Sequence, residues 1–101
     1  MDLIYIAGKF RGGNHWEIHQ NVTHAEEAIP KLIGMGYAPI CPHKMTENLQ
    51  GLFSDKRYLD ICIELLARCD AIYMLKGWEA SRGATIELEL AESLDLEVLY
   101  E

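Results

Sequence analysis

Two glycine-bearing loops hold most of the residues that could do chemistry. The first reads Gly8-Lys9-Phe10-Arg11-Gly12-Gly13-Asn14; the second runs Gly77-Trp78-Glu79-Ala80-Ser81-Arg82-Gly83-Ala84 and continues into Thr85-Ile86-Glu87. Glycine lets a backbone approach a ligand closely, and Lys9 and Arg11 bring positive charge that can bond an anion. The same residues also fit a plain surface turn. Neither G-x-G-x-x-G nor G-x-x-x-x-G-K-[ST] occurs, so the loop is no established phosphate loop. Ser81 suits a helix N-cap, which would aim the amides of residues 82–84 at an anion, worth ~0.3–1 kcal/mol. Arg82 or Arg11 can add a charged hydrogen bond. Glu87, a turn and a half further on, either raises its carboxylate beside that ligand or is a solvated acid like Glu89 and Glu92.

These loops need elements to position them. Leu3–Ala7 is a continuous apolar run stopped by Gly8, the pattern of a strand buried on both faces. From about Trp16 to Met35 the apolar residues Val22, Ala25, Ile29, Leu32 and Ile33 recur at helical spacing. Pro30 should kink or split this helix, and Gly34 and Gly36 should end it. Tyr37–Cys41 reads as a short strand, placed at a sheet edge by Pro39. Residues 42–54 read as loop, or as loop with a fragment of helix. Ser54 or Asp55 caps a helix running to Cys69, with Leu59, Cys62, Ile63, Leu66 and Cys69 on one face. Ala71–Leu75 is a third buried strand, Ser81 to Leu94 a helix, and Leu96–Tyr100 a fourth strand.

Alternating strands and helices with buried runs imply an α/β fold of flavodoxin-like, three-layer type: a four-stranded parallel sheet, order 2-1-3-4, with helices on both faces. Ligands in such folds sit beyond the strand carboxyl ends at the switch point between strands 1 and 3, where both loops fall.

Residues 1–101 read as a single domain, long enough for one core and too short for two. Half the residues are apolar or aromatic and a quarter charged, a globular composition. The formal charge of −7 disfavours a nucleic-acid polymer but not one small anion. No apolar run reaches the ~20 residues of a membrane span, and no leader opens the chain. Three cysteines without paired spacing (Cys41, Cys62, Cys69) imply a reduced, cytoplasmic protein.

Tyr5-x-x-Gly8-x-x-Arg11-Gly12-Gly13 resembles the opening strand and loop of the 2′-deoxynucleoside 5′-phosphate N-hydrolases, which belong with the nucleoside 2-deoxyribosyltransferases. Ser81-x-Gly83-x-x-x-Glu87-Leu88-x-x-Ala91 resembles the nucleophile segment of that superfamily, and Cys69-Asp70-Ala71 fits its third strand. With Gly77-Trp78-Glu79 ahead of the serine, the chain looks most like a short phage and bacterial branch. The resemblance covers nearly the whole chain. It implies cleavage of, or transfer across, the N-glycosidic bond of a nucleoside 5′-monophosphate or deoxynucleoside, with hydrolysis favoured and no cofactor. Glu87 would be the nucleophile and Tyr5 the residue that positions it. Gly8, Arg11, Gly12, Gly13, Ser81 and Gly83 would hold the sugar and phosphate. It also implies a homodimer or larger homo-oligomer.

The departures matter as well. The superfamily usually has an aspartate eight residues before the one preceding strand 3, and Cys62 stands there. Asp60 is the nearby substitute, rotated about 200° around the helix. Glu89 replaces a small residue, and the fifth strand of larger members is missing. A binding module without catalysis is the competing reading. His43 is either a base contact or a loop histidine, Trp78 either stacks on a base or packs against a neighbouring subunit, and Tyr5 is otherwise a core aromatic. His15, His19 and His24 lack the further ligands of a zinc site and read as solvated helix residues.

Overall fold

In the computed structural model, which describes residues 1–101, β1 (Leu3–Ala7) is buried from Ile4 onward and forms the centre of a parallel sheet. It pairs with β2 (Ala38–Ile40) on one side and β3 (Ala71–Met74) on the other, and β3 pairs with β4 (Glu97–Tyr100). The order is β2-β1-β3-β4, all parallel, as the strand–helix alternation implies. Pro39 does lie on an edge strand, where its missing amide breaks no ladder on the open side.

Side chains alternate across a strand, so β1 sends Ile4 and Ile6 to one face and Tyr5 and Ala7 to the other. Helix α1 (His15–Gly34) covers the first face with Ala25, Ala28 and Leu32. Helices α3 (Asp55–Leu66) and α4 (Arg82–Ser93) cover the second, where Leu66, Ala84, Leu88 and Ala91 pack on Tyr5, Ile72 and Met74. A short helix, α2 (Pro42–Thr46), follows β2. No helix is long and apolar enough to cross a membrane.

Local chemistry explains the starts of the three long helices. Asn14, Ser54 and Ser81 are their N-caps, each accepting a hydrogen bond from the amide three residues on. Pro30 does not split α1. It lies on the exposed side, where the carbonyl it leaves unpaired can meet water, while the buried stripe holds the helix together. Ile33 is exposed and Ala28 takes its place in the stripe. Helix α3 stops at Leu66, three residues short of the expected end.

Gly8, just past β1, is the close-packed point of the sheet. A Cβ there would lie 2.7 Å from Leu75 Cδ1 and 2.8 Å from Leu75 Cβ, inside van der Waals contact. Gly8→Ala should therefore cost ~1–3 kcal/mol in chemical denaturation, the range for overpacking a core. An unchanged midpoint would mean that Leu75 yields without strain.

Candidate active site

The carboxyl end of β1, the β2–α2 corner and the first turns of α3 and α4 enclose a cavity of about 610 Å³. That volume suits a small ligand of nucleotide size. The cavity lies on the α3/α4 face, at the switch point between β1 and β3.

Glu87 occupies its floor. The spacing of Gly83 and Glu87 places both on one side of α4, and both line the cavity, whereas Glu89 turns to solvent. Glu87 is 7% exposed and belongs to the buried stripe with Ala84, Leu88 and Ala91. A carboxylate on such a stripe is costly, because burial removes its water. Burial accordingly pushes the Glu87 pKa up to about 7, against the opposing effect of a hydrogen bond from Tyr5. The Tyr5 hydroxyl donates to Glu87 Oε2, joining β1 to α4 across 82 residues of chain. Burial, then the charge of Glu87, holds the Tyr5 phenol well above its usual pKa, so it stays protonated and keeps donating. The Cys62 thiol, also on the cavity wall, lies against the same hydroxyl, and burial raises its pKa.

The upper wall is cationic. Arg11, Lys56 and Arg82 line it, and Arg82 has no carboxylate within salt-bridge distance. Ser81 Oγ accepts from the Ala84 amide at 3.2 Å, so that amide is spent on the cap. Only the amides of Arg82 and Gly83 are left at this helix start for a ligand. His43 is buried in the wall. Desolvation lowers its pKa and keeps the ring neutral, and Nε2 donates to the Lys9 carbonyl at 3.1 Å.

Of the residues singled out by sequence, Tyr5, Gly8, Arg11, His43, Ser81, Gly83 and Glu87 converge on the cavity. Four others do not. Asp60 stands outside it, exposed and paired to Lys56 at 2.9 Å, because the rotation around α3 that turns Cys62 inward turns Asp60 outward. Gly12 and Gly13 pack instead on Glu17. A Cβ on Gly12 would come within 2.5 Å of Glu17 Cβ, and Glu17 Oε2 accepts from the Gly13 amide. These glycines serve the start of α1. Trp78 packs on Tyr100, with ring centroids 6.3 Å apart, and against the core beneath α4. His19 pairs with Glu47 and His24 with Glu101.

Sequence reasoning missed Asp55, Lys56, Tyr58 and Gln50, all on the cavity wall. One signal was available for the first two: a helix start capped by Ser54 follows the loop after β2, so it too falls at the strand carboxyl ends.

The parallel sheet of order β2-β1-β3-β4 with helices on both faces is an α/β fold like that of the 2-deoxyribosyltransferases. The profile of the family described as "Domain of unknown function (DUF4406)" matches residues 2–100, and the chain belongs to that family. No protein of curated function matches it in sequence. Among solved structures it is similar to a 2-deoxyribosyltransferase from the psychrotolerant bacterium Bacillus psychrosaccharolyticus, at a TM-score of 0.68 and 20% identity, covering 97% of this chain and 70% of that one. It is also similar to a 2-desoxiribosyltransferase from Leishmania mexicana, at a TM-score of 0.61 and 25% identity, covering 99% of this chain and 63% of that one.

Proposed function

We propose that this protein cleaves the N-glycosidic bond of a nucleoside 5′-monophosphate or deoxynucleoside, with Glu87 as nucleophile and hydrolysis favoured over transfer. The observation that carries the reading is a buried carboxylate, held by a buried tyrosine, at the floor of a cavity with cations on its wall. The similar structures include a 2-deoxyribosyltransferase described as a biocatalyst for the synthesis of nucleosides, which fits that substrate class.

The geometry supports the following chemistry. Tyr5 occupies Oε2 of Glu87 and leaves Oε1 to attack the anomeric carbon. The C–N bond breaks with its electron pair passing to the base, which takes a proton from solvent. The sugar is left as an ester of Glu87. Water then adds at the anomeric carbon, gives up a proton and regenerates the carboxylate, as in retaining glycosidases. Arg11, Arg82 and the first amides of α4 receive the 5′-phosphate.

A second reading has its own observation. Cys62 fills the wall position where the superfamily pattern expects an aspartate, and Asp60 lies outside the cavity. On that reading the protein binds a nucleotide without cleaving it.

The test is a panel of nucleosides and their 5′-monophosphates, with free base followed by chromatography and binding by calorimetry. Release of base supports the enzyme, and binding without release supports the module. Arg11→Ala should weaken 5′-monophosphates roughly tenfold or more, from a charged hydrogen bond of ~1.5–3 kcal/mol, and leave nucleosides little changed. Equal affinity for nucleoside and nucleotide in the parent protein would remove the phosphate assignment.

A further inference from the structure

Arg11 already has an anionic partner. Its guanidinium is paired with the carboxylate of Asp55, the first residue of α3, and both residues line the cavity. Arg11 comes from the β1–α1 loop and Asp55 from a position 44 residues away, so the pair ties two walls of the same cavity together. Apart from Glu87 on the floor, Asp55 is the only carboxylate lining the site. An incoming phosphate meets Asp55 twice: as a rival for Arg11 and as a like charge on the wall.

We propose that Asp55 is a specificity-determining residue that competes with the ligand's phosphate for Arg11 and so sets how strongly the site prefers a nucleotide over a nucleoside. The proposal rests on the nucleotide reading above and adds to it a residue that works against binding. Both side chains are more than half exposed, at 53% and 78%, so the pair is cheap to break and the competition is graded rather than absolute. A ligand that must first displace an internal partner binds with its intrinsic affinity reduced by the fraction of protein already open. Repulsion aimed at one ligand class is a recognised route to specificity. Lys56, next in the chain, is held by Asp60 at 2.9 Å and so is also partly neutralised. Arg82, unpaired, is then the cation that makes the first contact with an anion.

The experiment is calorimetric titration of the parent protein, Asp55→Asn, Arg11→Ala and the double variant. Each is titrated with the four 2′-deoxynucleoside 5′-monophosphates, the corresponding nucleosides and inorganic phosphate. Thermal unfolding of each variant checks that it is folded. Asp55→Asn should tighten nucleotides and phosphate about three- to tenfold, opposite in sign to Arg11→Ala, and raise the nucleotide-to-nucleoside affinity ratio by the same factor. The gain should shrink by at least about half in the Arg11→Ala background, since a competitor needs something to compete for. An unchanged ratio, a weaker nucleotide, or an equal gain with Arg11 removed overturns the role of Asp55 and leaves the nucleotide reading standing. If the parent and Asp55→Asn bind none of these ligands, the nucleotide reading falls and this inference falls with it. Asp55→Ser, which also removes the charge and leaves the Ser54 cap of α3 in place, replaces Asn should that variant unfold.

Discussion

Glu87→Gln should reduce base release by about a thousandfold or more, the scale on which removal of an enzyme's nucleophile acts. Glutamine keeps the shape and can still accept from the Tyr5 hydroxyl, so the fold and much of the ligand binding should survive. What is lost is the negative oxygen proposed to attack the anomeric carbon. Glu89→Gln is the matched control, two residues away and turned to solvent, and it should change little. Chromatographic assay of both variants decides the assignment. Activity lost with Glu89→Gln and kept with Glu87→Gln would put the nucleophile in the wrong register. Activity kept in both would remove the carboxylate mechanism altogether.

The same substitution should make the protein more stable at neutral and higher pH. The folded-state pKa of Glu87 is raised from 4.5 to about 7 by burial. The folded state thus binds this proton more tightly than the unfolded chain does. Its contribution is fully present below pH about 4.5 and is lost as pH rises through about 7. A rise from 4.5 to about 7 corresponds to about 3 kcal/mol, which ionised Glu87 costs the fold above that window. A glutamine does not ionise and escapes the cost. Urea denaturation should show Glu87→Gln more stable than the parent by up to about 3 kcal/mol at pH 8, with the gap closing toward pH 4.5. A gap that is constant across this range would show that burial of the carboxylate is not what separates the two proteins.

The two expectations pull in opposite directions, and that separates them from a purely structural account. A residue kept for packing loses stability when changed. Glu87 should gain it and lose activity.

Much of the fold was legible along the chain because it depends on local pattern. Runs such as Leu3–Ala7 and Ala71–Leu75 are apolar on both faces, which only a sandwiched parallel strand tolerates. The caps Ser54 and Ser81 and the terminating Gly36, at φ +95°, mark helix boundaries by short-range bonding and backbone freedom. Strand order then follows from chain connectivity and handedness. That seven of the residues singled out by sequence would line one cavity was legible for a related reason: the two loops that carry most of them leave the carboxyl ends of adjacent strands. The family-like spacing, rather than any local pattern, singled out Glu87 from Glu89 and Glu92.

Only the tertiary structure decided the rest, because the deciding contacts join residues far apart in sequence. Tyr5 meets Glu87 across 82 positions and Arg11 meets Asp55 across 44, and neither pairing leaves a periodic trace. The angular setting of α3 against the sheet turns Cys62 inward and Asp60 outward, and a helix can rotate without any change in its spacing pattern. Trp78 went to Tyr100 because β4 places that ring beside the loop. Pro30 stayed in α1 because it and Glu26, whose carbonyl loses its amide partner, lie on the exposed side, a property of burial rather than of proline. Local chemistry determined which segments form elements and where they end; packing between distant segments determined which side chains share the cavity and with what charge.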